Sequence, residues 1–258
     1  MFHTIFLSAF ATVALIVAIT VVCAVMRSRR SLSAGRVEAI RWHTDFEALP
    51  SRDRQCRHVL TGEFASRECP HAFDCRECLT HPKLLARQRP VDEFEEEVFG
   101  MPYPADRLYH RGHAWARPES DGTVTIGLDE LGRRVLGPPD VTDLPAEGTR
   151  LSVNGTAWRL QKRDAEVRVL SPVDGEVVAV GGPNDDWYLR VKPVQGEFDF
   201  RHLLMPCEIR PWVLREMERL QLALNGALAD GGTPMEDISA AYPKANWDEV
   251  CGQMFLQG

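Results

Sequence analysis

Lysine is scarce in this chain. Only Lys83, Lys162, Lys192 and Lys244 occur, so nearly all basic charge is arginine and any chemistry needing a primary amine has four candidates. Basic residues number 30 against 37 acidic ones, and the net charge of −7 argues against nucleic acid as a partner. A glycine-rich strand-to-helix phosphate loop is missing; the Gly-Gly pairs at 181–182 and 231–232 sit in loops. No nucleophile–base pair stands out, and His110 and His113, at strand ends near Asp and Arg residues, read as structural. The chain is expected not to be an enzyme.

Charge is absent from Ile5 to Met26, an almost wholly apolar run. At about 1.5 Å per residue, a helix of this length crosses a bilayer core. A cleaved signal peptide fits poorly: no Lys or Arg precedes the run and no clean small-x-small site follows. Val22 before Cys23 also argues against lipoprotein processing. Arg27, Arg29, Arg30 and Arg36 follow, so residues 1–30 are expected to be a single-pass anchor in the cytoplasmic (inner) membrane, with the C-terminal bulk in the cytoplasm.

A reducing compartment keeps thiols available for metals. Of seven cysteines, Cys56, Cys69, Cys75 and Cys78 fall in residues 56–82, within a region 31–100 that otherwise reads as linker. This clustering argues for a local site over a distributed disulfide framework. A Cys-x2-Cys turn lets two thiolates bind one ion and the distant pair completes a tetrahedron, which suits structural zinc; His58, His71 and His81 are spare ligands. An iron–sulfur cluster needs the same ligands, and free or paired thiols remain a third reading. Leu79 after Cys78, where haem attachment needs His, disfavours a c-type haem. The segment is too small and polar to form its own core, and a metal would supply the missing folding energy. The acidic run Asp92 to Glu97 reads as a solvated linker or helix face, with a docking strip as the sharper alternative.

From Leu108 the apolar period becomes two. Leu108–Ala116 and Thr123–Leu128 flank the turn Glu119-Ser120-Asp121-Gly122. A short helix fits Asp129 to Leu136, with Gly137 past its end, followed by a strand from Val141 to Leu144. Trp158, Leu160 and then Val167, Val169 alternate with arginines, so residues 158–170 read as a hairpin with Arg163-Asp164-Ala165 at its tip. Ser171-Pro172-Val173-Asp174-Gly175 makes a second turn. Beyond 195, Val213, Met217, Leu220 and Leu224 form a helical stripe with Pro211 in the first turn. Short helical turns follow, whose Trp247, Val250, Met254 and Phe255 pack back, or else present Trp247 and Phe255 to a partner.

Several of these motifs, in this order, resemble the glycine cleavage system H-protein and lipoyl-domain family. They are Tyr109-His110-Arg111-Gly112-His113-Ala114-Trp115, Asp121–Leu128 with its helix, Leu144-Pro145-Ala146-Glu147-Gly148, Ser171–Val178 and Trp187–Val191. The resemblance implies a mainly β domain at 101–195, a flattened sandwich or barrel-sandwich hybrid, between the anchor with its Cys-rich module and a helical extension at 196–258. It also implies a lipoyl-lysine seven residues before the Ser of Ser-Pro. That position is Asp164, which has no amine to acylate; the nearest substitute, Lys162, lies two residues earlier. The family's hairpin otherwise survives in Ala165, Ser171, Pro172 and Gly175.

The expected protein is therefore a non-catalytic, membrane-anchored scaffold built on a lipoyl-type domain that has lost its lysine, with zinc and without lipoate. It would dock to proteins of a membrane-associated or redox complex. Two alternatives stay open: a lipoyl carrier in glycine cleavage or related aminomethyl or sulfur transfer through Lys162, and an electron-transfer protein with an iron–sulfur cluster.

Overall fold

A computed structural model of the chain describes residues 45–86, 97–163, 165–182, 185–194, 196–224 and 234–257, together with Val17. The expected membrane span thus lies, save Val17, outside the described residues, as do residues 92–96 of the acidic run. Among the described residues no helix is long and apolar enough to cross a membrane.

After the Cys-rich segment comes α1 (His81–Leu85), then the small hairpin β1 (Glu97–Val98) and β2 (Met101–Pro102). The β-domain runs through β3 (Leu108–Tyr109), β4 (Ala114–Pro118), β5 (Val124–Leu128), α2 (Glu130–Leu136), β6 (Val141–Asp143) and β7 (Arg150–Leu151). It continues with β8 (Thr156–Lys162), β9 (Ala165–Leu170), β10 (Gly175–Val180) and β11 (Leu189–Lys192). The tail is α3 (Pro206–Leu224), α4 (Ile238–Ala241) and α5 (Trp247–Met254). A six-stranded antiparallel sheet has the order β3-β4-β5-β11-β10-β7, and a three-stranded one β6-β8-β9. Their apolar residues join one core, where Val124, Ile126, Leu189 and Val191 meet Trp158, Leu160, Val167 and Val169. The mainly β architecture with C-terminal helices is as expected.

Local chemistry sets the elements. Gly122, with φ of 77°, closes the β4–β5 turn. Asp129 caps α2 by accepting from the Gly132 N–H at 2.7 Å, and Gly137 ends that helix. The sequence pattern joins 108–116 into one strand; the chain instead breaks at 110–113, where His113 is left-handed (φ 65°) and its carbonyl accepts from the Asp129 N–H. Helix α3 begins earlier than expected. Glu208 reaches back to the Met205 N–H at 2.6 Å, as a capping box does, so the helix starts at Pro206 and Pro211 lies inside it.

The tail and the Cys-rich segment are not appendages. Trp212, Val213, Leu220, Val250, Met254 and Phe255 belong to the main core, so Trp247 and Phe255 pack inward, as the first of the two sequence readings has it. Phe46, Leu49, Cys69, Ala72 and Phe73 form a second small core that borrows Leu170 from β9 and Leu256 from the tail.

Candidate functional site

The β8–β9 hairpin is the first candidate. Its register pairs Leu160 with Val167 and Lys162 with Ala165. Arg163 is left-handed (φ 53°), and its N–H donates to Asp140 at 2.7 Å. Asp164 lies outside the described residues. Lys162 follows Trp158 and Leu160 on the core-facing side, since alternate residues share a face. Its ammonium donates to the Pro138 carbonyl and lies 3.9 Å from Asp237, and the side chain is only 15% exposed. Lys162 is therefore laid along the Pro138 loop and is not held out at the apex. Ala165 is buried beneath the tip.

At the other end of β9 the Ser171–Gly175 turn is an internal junction. Ser171 Oγ donates to the Val173 carbonyl at 2.7 Å, and the Pro172 carbonyl accepts from His202 at 2.7 Å. Gly175 is required: a Cβ there would stand 2.4 Å from Val191 and 2.5 Å from the Lys192 carbonyl. Asp174 accepts from the Val153 N–H at 2.7 Å and pairs with Arg76 of the Cys-rich segment. This turn, about 20 Å from the tip along a six-residue strand, is where that segment docks.

The second candidate is the cysteine layer. An antiparallel clip, Cys56 N–H to Arg67 carbonyl (2.7 Å) and Cys69 N–H to Arg54 carbonyl (2.8 Å), sets Cys56 near Cys69. Ala72 and Phe73 are successive non-glycine residues with positive φ (46° and 63°), and the Phe73 N–H they turn inward donates to Cys69 Sγ at 3.3 Å. Such a pair costs on the order of 1–3 kcal/mol per residue and persists only when its surroundings fix it. Here Phe73 is clamped between Phe46 (5.0 Å, edge on) and the Arg111 guanidinium (3.7 Å), while Asn154 donates to the Ala72 carbonyl. Cys75 opens a short turn capped by Asp74. Burial pushes its thiol up to about 12, against the pull of Arg57. Burial likewise raises Cys56, and the thiols of Cys56, Cys69 and Cys75 are near enough to act on one another. Cys78 is half-buried.

The histidines divide. His58 Nε2 and His81 Nδ1 meet at 2.9 Å, both rings buried, and burial followed by Arg57 lowers both, His81 to about 4. His71 is half-buried. Among the described residues no three Cys, His, Asp or Glu side chains stand in metal-holding geometry, so loading an ion would require the thiols to close in.

Sequence reasoning missed the arginines around this layer. Arg57 is buried and donates to Glu208 through Nε at 2.7 Å and to the Arg201 carbonyl at 2.9 Å. Arg111 is 6% exposed; it donates to the Gln55 carbonyl at 2.7 Å and leaves Nε without a hydrogen-bond partner. Burial pulls its guanidinium down to about 10, with Glu216, Cys69 and Cys75 offsetting only part. The one available signal was its place inside the Tyr109–Trp115 motif. The neighbouring histidines are buried and bonded: His110 bonds Asn154 at 2.8 Å and His113 bonds Asp129 at 3.0 Å.

Comparison with known proteins points to the β-domain. The sequence profile described as glycine cleavage H-protein matches residues 107–186. The glycine cleavage system H protein of Saccharophagus degradans is 36% identical over 98 residues, 33% of this chain and 75% of that protein. Glycine cleavage system H protein 2 of Pseudomonas syringae pv. tomato is 33% identical over 113 residues, 39% of this chain and 88% of the relative. A crystal structure of a glycine cleavage system H protein from Mycobacterium marinum aligns at 22% identity with a TM-score of 0.32, over 35% of this chain and 86% of that one.

Proposed function

The chain belongs to the glycine cleavage H-protein family, and from that premise we propose that its β-domain works without a lipoyl arm, as a non-catalytic docking module held at the membrane. H proteins are carriers, which fits a docking role. The observation that carries the reading is the state of the hairpin. The position seven residues before Ser171 is a carboxylate, Asp164. The nearest amine, Lys162, is tied to Pro138 and neighboured by Asp237. A loading enzyme must reach a primary amine on a free stem, and this one is mostly covered.

The N-terminal span rests on the apolar run 5–26 and its trailing arginines, and places the folded part on the cytoplasmic face. Residues Cys56, Cys69, Cys75 and Cys78 are assigned to a structural zinc that locks the Cys-rich segment onto the Ser171–Gly175 turn. The strained Phe73 amide aimed at Cys69 supports this. The partners are proteins of a membrane-associated or redox complex that recognise the H-protein surface.

Intact mass of the chain purified from its native host tests the central claim. The expected mass carries no lipoyl group. A lipoyl adduct on Lys162 would replace this reading with that of a working carrier for aminomethyl or sulfur transfer. An optical spectrum separates the metals, since zinc is colourless and an iron–sulfur cluster is not.

A further inference from the structure

The scarcity of lysine gives this chain an internal comparison. Lys83, Lys192 and Lys244 are exposed, whereas the Lys162 side chain is only 15% exposed although it stands next to the hairpin tip. Two pieces of chain cover it. One is the loop after α2. There the Pro138 carbonyl accepts from the Lys162 ammonium, and the Asp140 N–H donates to the Gln161 carbonyl at 2.8 Å. The other is the tail segment 234–241, whose Asp237 carboxylate lies 3.9 Å from the ammonium.

The tail segment is seated by groups other than the lysine. The Pro234 carbonyl accepts from Arg134, Ser239 Oγ donates to the Leu136 carbonyl at 3.1 Å, and Ile238 is buried in the main core. Asp237 itself caps α4 by accepting from the Ala240 N–H at 2.8 Å. Gly137 makes room for it: a Cβ there would stand 2.3 Å from the Asp237 carboxyl carbon. The end of α2 is thus shaped to receive this segment, and the segment lies where Lys162 would otherwise meet solvent. Acylation uses the lone pair of a neutral amine that solvent can reach; an ammonium held between a carbonyl and a carboxylate offers neither. We infer that residues 234–241 are an autoinhibitory strap that withholds Lys162 from acylation until the strap lifts. This deepens the proposed armless reading: Asp164 takes the amine from the family's position, and the strap hides the nearest substitute.

The test treats the full chain in detergent with the N-hydroxysuccinimide ester of acetic acid and follows the four lysines by peptide mass mapping. Each event forms an amide N–C bond, breaks the ester C–O bond, releases N-hydroxysuccinimide and gives the amine's proton to the buffer. In the folded wild type Lys162 is expected to react at least about tenfold more slowly than each of the other three, because a covered group reacts only in the locally open fraction of molecules. In urea all four should react alike. Asp237→Ala removes the carboxylate and the cap together. With native tryptophan emission retained, it is expected to bring Lys162 within about threefold of the exposed lysines, as a weakened local structure opens more often. Ser239→Ala loosens the strap at its Leu136 contact and should speed Lys162 in the same direction, which keeps the test decisive if Asp237→Ala fails to fold. A folded wild type whose Lys162 reacts as fast as the other lysines overturns the inference. So do folded variants whose Lys162 stays slow, since the loop after α2 would then be the whole cover. A native chain that lacks lipoate but has a reactive Lys162 removes the strap and leaves the armless reading standing, whereas a lipoyl adduct on Lys162 removes both.

Discussion

Buried histidines set the pH response at the scale of single residues. Burial holds His110 at about 3, and burial holds His202 at about 4 despite its bond to the Pro172 carbonyl, against an ordinary 6.5. Both stay neutral in the folded chain and take up protons when it unfolds. Their folded values are depressed, so the stability they support is present above about pH 6.5 and lost as pH falls towards 4, each costing about 3 kcal/mol by then. His113 acts in the opposite sense. Burial opposes its protonation, but Asp129 and then Glu216 outweigh it and raise its pKa, so its contribution is full below the unfolded value and fades as pH rises through the folded one. Urea unfolding as a function of pH should therefore give a maximum near neutrality. His202→Gln should flatten the acid limb; an unchanged acid slope would show that protonation of this ring is not what destabilises the fold. A second residue-scale constraint is steric. Gly127 faces Trp115 across the β4–β5 pair, and a Cβ there would stand 2.3 Å from the indole. Trp115 is pinned by its bond to the Leu128 carbonyl and by Arg107 over its ring, so it cannot swing aside. Gly127→Ala should cost about 1–3 kcal/mol in denaturant midpoint, the usual range for overpacking.

At the scale of elements, the hairpin was almost wholly legible. Alternation at Trp158, Leu160, Val167 and Val169 put the strands and the tip where they are, because one buried face fixes register. What alternation could not say is where Lys162 ends. That depends on Pro138 and Asp237, one on the loop after α2 and the other 75 residues further along the chain. The same limit hid the break at 110–113, which is set by the Asp129 N–H and not by local pattern. The hairpin's geometry yields a constructive test. If only the amine is missing, Asp164→Lys restores a primary amine in the turn at the family's position. Incubated with a lipoyl ligase, ATP and lipoate, this variant should gain one lipoyl group by mass, while the wild type and an Asp164→Asn control gain none. Failure of Asp164→Lys to be modified would mean that the tip has diverged beyond its lysine. Modification of the wild type would mean that Lys162 is accessible after all.

The molecule as a whole is joined in ways no periodic pattern records. The sequence divides readily into a Cys-rich module, a β-domain and a helical tail, since composition and period change at the joints. In three dimensions residues 42–258 form one compact unit, and the joints are crossed by ion pairs between residues far apart in the chain. The chief of these is Arg57 with Glu208, separated by 151 positions and both almost fully buried. Glu208 does two things there: it caps α3 through the Met205 N–H and neutralises Arg57, which in turn reaches the Cys75 layer. Removing one partner strands a charge in the interior, whereas removing both removes the charge. Arg57→Met and Glu208→Gln should each lower stability by about 3–5 kcal/mol, and the Arg57→Met/Glu208→Gln pair should cost clearly less than their sum. Proteolysis should then cut first in 56–82 in either single variant, because the Cys-rich segment has few other buried apolar anchors. Additive losses, or single variants within about 1 kcal/mol of the wild type, would mean that the segment is held by its small apolar core and by Arg76 on Asp174, with the buried pair contributing little.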